Sequence, residues 1–127
     1  MAAYHSGPYR GRTSQRLGIS FAAGSRAVTG LTYAVHYTCS TGRSYTGAAL
    51  RDSDRYAIRA GRFGGRSRSA SGATVSEVHG RLSGRSASGT VRRTIRIDTV
   101  HQRPDPAGDE LCDSGRLRFT ATLHRTA

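Results

Sequence analysis

Two cysteines, five histidines and eight carboxylates are the side chains of this 127-residue chain that could bind a metal or carry redox and acid–base chemistry. Cys39 and Cys112 lie 73 positions apart, with no Cys-x-x-Cys pair and no histidine at metal-ligand spacing. Two isolated cysteines of this kind are typical of one structural disulfide, which persists in oxidising compartments. Closing a loop of this length would stabilise the fold by about 4 kcal/mol. The sequence therefore predicts a Cys39–Cys112 disulfide.

The polar residues do not form a catalytic motif. No Gly-x-Ser-x-Gly segment occurs, and this segment carries the serine nucleophile of α/β-hydrolases. Glu77 and Glu110 are the only glutamates, while Asp52 and Asp54 lie in a turn segment, where carboxylates accept hydrogen bonds from backbone N–H groups. A Ser–His–Asp triad assembled from distant strands is the alternative, since triads are defined by geometry. We predict that the protein is not an enzyme and has no catalytic residue.

His36 and His124 are the best candidates for metal ligands, because both face outward in predicted strands and would be neighbours if those strands pair. Two histidines do not complete a zinc site, and no third ligand is indicated. The Asp52-Ser53-Asp54 segment lacks the later acidic positions of a calcium loop. The sequence therefore predicts no metal site and no cofactor.

Arginine supplies all 20 basic residues, and the formal net charge is +12. The absence of lysine is typical of a GC-rich genome, whereas the excess of positive charge attracts polyanions whatever its origin.

Eight arginines fall within 35 residues whose only carboxylate is Glu77: Arg62, Arg66, Arg68, Arg81, Arg85, Arg92, Arg93 and Arg96. On neighbouring strands they would form one positive face for phosphate, carboxylate or sulfate groups. The alternative is a solvated arginine-rich surface with no partner. Phe63 is the only aromatic residue among them, so no platform for stacking RNA bases is predicted.

Apolar and polar residues alternate over most of the chain, which predicts half-buried β-strands. Near the end of one strand Val91, Ile95 and Ile97 share the inward face, which Arg93 interrupts. The main predicted loop runs from His101 to Glu110. Eight candidate strands cover residues 9–13, 17–22, 31–39, 45–50, 56–63, 73–82, 91–97 and 117–123. The sequence predicts an all-β fold, an antiparallel β-sandwich or a jelly-roll-like barrel of about eight strands with one disulfide.

The length is that of one domain, so we expect a single β domain over residues 1–127, with residues 1–7 as a flexible N-terminal extension. Its core has few large aliphatic residues, since Leu, Ile, Val and Phe together supply only 20 of 127. The chain contains one internal sequence similarity, between Gly61–Ser67 and Gly80–Ser86. Two copies are too few for a repeat array and indicate consecutive strands of a meander.

The segments at both ends of the chain carry a family resemblance. Tyr9-x-Gly11-x-Thr13-Ser14-Gln15 precedes Ile19-Ser20-Phe21, Gly80-Arg81-Leu82-Ser83-Gly84 occupies the middle, and Cys112-x-Ser114-Gly115 comes near the end. The chain resembles a group of small secreted actinobacterial β-domains of uncharacterised function. The resemblance covers nearly the whole chain and implies a β fold with a disulfide. It implies no catalytic or ligand-binding residue. Arg16 stands where the group usually has glycine.

Three functions fit these features. The first is a secreted, non-enzymatic binding or structural module at the cell surface, whose target is an acidic polymer or a protein. The second is an arginine-rich polyanion or nucleic-acid binder, and the third is a structural subunit of a phage or filament assembly. No apolar run is long enough to span a membrane or to form the core of a signal peptide. The predicted disulfide favours a secreted protein whose signal peptide has been removed, and the oligomeric state stays open.

Overall fold

The computed structural model describes residues 3–52 and 54–124. It contains eleven strands: β1 Gly7–Thr13, β2 Gly18–Ala23, β3 Ala27–Cys39, β4 Ser44–Arg51, β5 Tyr56–Ala57, β6 Arg62–Arg68, β7 Thr74–Ser83, β8 Ser86–Asp98, β9 Arg103–Pro104, β10 Glu110–Asp113 and β11 Leu117–Leu123. All strand pairs are antiparallel. The prediction of an antiparallel all-β fold is confirmed. No helix that could cross a membrane is formed by the described residues.

Six strands close into a barrel. Their hydrogen-bonded order is β10-β3-β2-β1-β11-β8, and the pairing of β10 with β8 completes the ring. The remaining five strands extend the two longest strands of the barrel. β4 and β5 pair with the outer edge of β3. β7 and β9 pair with the outer edge of β8, and β6 pairs with β7. Two separate extensions therefore flank the short strand β10.

The number of strands exceeds the eight predicted from the sequence. The predicted strand over residues 56–63 is divided between β5 and β6, and the predicted loop from His101 to Glu110 contains β9 and leads into β10. These additional strands have two to four residues each, apart from β6. Segments so short carry no detectable alternation, and only pairing with β3 and β8 makes them strands.

The core is built around aromatic rings, which compensate for the small number of aliphatic residues. Phe21 lies at its centre, with ring centroids 5.3 Å from Tyr9, 5.6 Å from Phe63 and 6.3 Å from Phe119. Each of these rings is at least 95 % buried. Aromatic side chains bury more apolar area than any others, so four rings fill the space that a longer list of leucines would otherwise occupy.

Glycine is required where barrel strands approach each other most closely. A Cβ atom on Gly11 of β1 would lie 1.7 Å from the carbonyl oxygen of Thr120 in β11. No side chain can be accommodated at this distance. The close pairing of β1 with β11 therefore requires glycine at position 11.

The disulfide joins Cys39 and Cys112, as predicted. Cys112 lies in β10 and is paired directly with Cys39 in β3. The disulfide therefore reinforces one of the shortest strand pairings of the barrel, since β10 pairs with β3 through only two residues.

The strands that carry the two outward histidines are not paired. His36 in β3 and His124 after β11 do not meet, because β2 and β1 lie between those strands. His36 instead bonds Thr46 Oγ1 through Nδ1, at 2.6 Å. In the N-terminal segment, Tyr4 donates its hydroxyl to the Gly24 carbonyl at 2.7 Å, and the His5 N–H donates to the Gly84 carbonyl.

Candidate polyanion-binding face

The inward and outward faces of β6, β7 and β8 are set by strict alternation. Phe63, Val78, Leu82 and Val91 point inward and are at least 95 % buried. Residues that alternate with them point to the opposite side of the sheet. The arginines in these outward positions are therefore exposed because the core fixes the register of their strands.

One row of polar side chains crosses five strands on this outer face. The pairs Arg62–Arg81, Arg81–Ser88, Ser88–Thr120 and Thr120–Arg12 follow one another from β6 through β7, β8 and β11 to β1. Neighbouring strands are about 5 Å apart. Arg62 and Arg81 occupy equivalent positions in the two similar segments, Gly61–Ser67 and Gly80–Ser86. The pairing of β6 with β7 therefore places two like charges side by side.

Further arginines extend the row in both directions along the strands. Together we call the following exposed side chains the basic face: Arg10, Arg12, Arg62, Arg66, Arg68, Arg81, Arg92 and Arg118. Serine and threonine hydroxyls occupy most of the positions between them, including Ser88, Thr90 and Thr120. The surface therefore presents guanidinium and hydroxyl groups, both of which donate hydrogen bonds to oxyanions.

Two carboxylates lie among these arginines and are both engaged. Glu77 accepts from Arg66 at 3.3 Å and lies 3.1 Å from His79 Nε2, and these hydrogen bonds, that of His79 first, hold the pKa of Glu77 below its usual value. Asp113 accepts two hydrogen bonds from Arg92, at 2.6 and 3.1 Å, which lower the pKa of Asp113. Within the described residues, the other six arginines of the basic face have no carboxylate within 4.0 Å.

The basic face is not flat. A depression of about 510 Å³ lies over Gly80 and Gly89 and is bordered by Arg62, His79 and Arg81. A second, of about 230 Å³, is bordered by Arg66, Arg68 and Arg92. The first depression offers an anionic group a place between the two arginines Arg62 and Arg81.

The structure brings together five of the eight arginines singled out in the sequence, namely Arg62, Arg66, Arg68, Arg81 and Arg92. Arg85 lies in the tight turn between β7 and β8. Arg96 donates through Nη1 to the Gly108 carbonyl at 3.1 Å. Arg93 lies on the inward face, with its guanidinium carbon 5.9 Å from the centroid of the Tyr33 ring.

Three arginines of the basic face lie outside the cluster over residues 62–96 that the sequence predicts. Arg10 and Arg12 come from β1, and Arg118 comes from β11. Their alternation with Tyr9 and Phe119 identifies them as outward residues, but only the pairing of β11 with both β1 and β8 adds them to the cluster.

Comparisons of this chain with protein-family models, with curated proteins and with solved structures gave no match. The resemblance to the actinobacterial β-domain group therefore stays a prediction.

One cluster of potential metal ligands occurs within residues 3–52 and 54–124, and it consists of Cys39, Glu110 and Cys112. The two sulfur atoms are joined to each other in the disulfide. The Glu110 carboxylate is bound by Thr41 and Arg43. This cluster is therefore structural in its bonding, and the basic face is the strongest candidate for a functional site.

Proposed function

We propose that this protein is a non-enzymatic binding module whose basic face binds an extended polyanion at the cell surface. The observation that carries the proposal is the row that places Arg62, Arg81 and Arg12 on one face without a carboxylate partner among the described residues. Arg62 and Arg81 stand at directly paired positions, where like charges repel one another, and an anionic partner relieves that repulsion.

A polymer fits this face better than a small anion does. The basic face extends over five strands, which corresponds to about 20 Å across the strands, and its charges are distributed over that width. A partner with regularly spaced phosphate, sulfate or carboxylate groups can contact several arginines at once, and each contact releases counterions.

An acidic surface polymer is favoured over single-stranded nucleic acid by the absence of aromatic side chains from the described part of the basic face. Phe63, the aromatic residue nearest to these arginines in sequence, is buried and points inward. Proteins that bind single strands usually stack bases on exposed aromatic rings. Recognition through charged groups alone needs no such platform.

The proposed location at the cell surface is supported by the Cys39–Cys112 disulfide, because disulfides form and persist in oxidising compartments. Anionic polymers of the cell envelope are the partners available there to a basic protein.

The test compares Arg62→Gln/Arg81→Gln with Arg26→Gln/Arg55→Gln, which removes the same charge from exposed residues outside the basic face. Binding to fluorescent polyphosphate and to dextran sulfate is measured at several salt concentrations. We expect the first variant to bind at least about tenfold more weakly and to show a shallower dependence of log K on log salt, while the control stays within about twofold of wild type.

Equal losses in the two variants would mean that net charge alone drives binding, and the basic face would then have no special role. A single-stranded oligonucleotide forms the third arm. Sequence-selective binding to it that survives about 200 mM salt would overturn the surface-polymer assignment in favour of nucleic acid.

A further inference from the structure

A second cationic site lies on the opposite side of β8, between the two extensions of the barrel. It is a cavity of about 210 Å³ bordered by Arg51 at the end of β4, Arg68 at the end of β6 and Arg93 in the middle of β8. Three strands that are distant in sequence thus place three guanidinium groups around one small space. Asp52 and four hydroxyl residues complete its lining, namely Ser67, Ser69, Thr74 and Ser76.

Arg93 is the unusual member, because it occupies an inward position of its strand. Val91, two residues before it, is 1 % exposed. The Arg93 guanidinium stacks over the face of Tyr33, and its Nε atom is buried without a hydrogen-bond partner among the described residues. A buried donor without a partner is costly, and a charged one more so. Arg93 also has no carboxylate within 4.0 Å among the described residues, so its charge is not paired within this part of the chain.

The groups that surround Arg93 do not neutralise it. Burial raises the pKa of Tyr33, and burial raises the pKa of Tyr37 to about 12. Both phenols are therefore uncharged at neutral pH. The Tyr33 hydroxyl is bonded to Ser76 Oγ.

Asp52 is the one carboxylate that lines the cavity, and its oxygens are engaged elsewhere. Oδ1 accepts from the Asp54 N–H at 2.9 Å, and Oδ2 accepts from the Tyr56 hydroxyl. Asp52 forms no ion pair with Arg51, Arg68 or Arg93 within the described residues. The lining therefore contains three arginine side chains and one carboxylate, which accepts hydrogen bonds from other groups. This leaves the cavity with an excess of positive charge.

We propose that this cavity binds one tetrahedral oxyanion, a phosphate or sulfate group. Guanidinium groups bind such oxygens through paired N–H donors, and the serine and threonine hydroxyls supply further donors. The volume is below the several hundred cubic ångströms of sites for larger small molecules, so the group bound is a free anion or the end group of a larger molecule. This site adjoins the proposed polymer surface and shares Arg68 with it, whereas Arg93 lies on the other side of β8 from the basic face.

The test uses the neighbouring residue as its matched control. Arg93→Gln and Arg92→Gln remove the same charge one position apart, the first from the cavity and the second from the basic face. Inorganic phosphate, inorganic sulfate and methyl phosphate are titrated in chloride buffer, with binding followed by calorimetry and by the NMR resonances of the arginine Nε–H groups. We expect saturable binding at one site, weakened at least about tenfold in Arg93→Gln and less than about twofold in Arg92→Gln.

Binding of methyl phosphate comparable to that of phosphate identifies a site for an end group, whereas a strong preference for the inorganic ions identifies a site for the free anion. Absence of saturable binding to all three would overturn the proposal. Equal weakening in both variants would also overturn it, because the ions would then be bound by general charge.

Near-ultraviolet circular dichroism checks that Arg93→Gln keeps the tyrosine environment of the wild type. If that variant does not fold, Arg51→Gln, at an exposed position of the same cavity, replaces it with the same expectation. Polyphosphate binding by the cavity variants is measured in parallel and is expected to stay close to wild type. Loss of the oxyanion site alone is thereby distinguished from failure of the proposed polymer-binding function.

Discussion

Arg92 and Arg93 are consecutive residues of β8, yet their guanidinium groups lie on opposite sides of the sheet. Arg92 donates two hydrogen bonds to Asp113 on the outer face. Arg93 stacks over Tyr33 on the inner face, where its Nε has no partner among the described residues. One strand therefore contributes to two cationic surfaces, and substitutions one residue apart can separate them.

The disulfide is expected to contribute much of the stability of this small domain. Replacing both Cys39 and Cys112 by alanine removes a constraint across 73 residues of sequence. The chain-entropy argument gives a loss of about 4 kcal/mol in the free energy of unfolding. Urea unfolding of wild type with and without reductant, and of the double variant, measures this loss.

The reduced wild type and the double variant are expected to unfold at nearly the same urea concentration. Mass spectrometry that finds two free thiols in protein made under oxidising conditions would contradict the prediction, together with much of the support for an extracellular location.

The close approach of β1 and β11 predicts that two glycine substitutions, Gly11→Ala and Gly18→Ala, differ widely in their effect on the free energy of unfolding. Gly11→Ala would place a Cβ atom 1.7 Å from the Thr120 carbonyl oxygen, and the barrel wall would have to move. We expect the free energy of unfolding to fall by about 3 kcal/mol or more. Chemical denaturation measures it.

Gly18→Ala is the matched control, because a Cβ atom at Gly18 of β2 meets no atom within 4 Å. Its stability is expected to be unchanged or to rise by up to about 1 kcal/mol. Similar losses in the two variants would show that the strand pairing around Gly11 is looser than described.

Acid is expected to destabilise the protein through Glu110. Hydrogen bonds from Arg43, and then from Thr41, hold the pKa of this buried carboxyl below its usual value. A carboxyl with a lowered pKa stabilises the fold at pH values above its unfolded pKa, about 4.3, and this contribution is lost as the pH falls through the folded pKa. The urea midpoint is therefore expected to drop between about pH 5 and pH 3.

Glu110→Gln is expected to be less stable than wild type at neutral pH. It is also expected to lose less of its stability on acidification, because the variant lacks the Glu110 carboxyl group. Asp54→Asn, at an exposed position, serves as the control and is expected to keep the wild-type acid dependence. A Glu110→Gln variant with an unchanged drop would assign the acid sensitivity to other carboxylates.

Alternation allowed much of the fold to be predicted before the structure was known. The segment from Leu31 to Cys39 has one buried residue in every two, as its pattern indicates. The short strand β10 could not be foreseen, because its four residues carry no periodic signal and it is a strand only through its partners β3 and β8. Whether the strands of His36 and His124 pair was left open for the same reason, since alternation specifies the face of a strand and not its neighbour.

The sequence by itself determined which side of the longer strands faces the core, that Cys39 and Cys112 are bonded, and that the protein carries a large excess of arginine. Only the tertiary structure decided that Arg12 and Arg118 join Arg62 and Arg81 on one face, and that Arg93 is turned away from them. The physical reason is that side-chain direction follows from the local twofold period of a strand. Strand order depends instead on long-range pairing, which no short segment of the chain encodes.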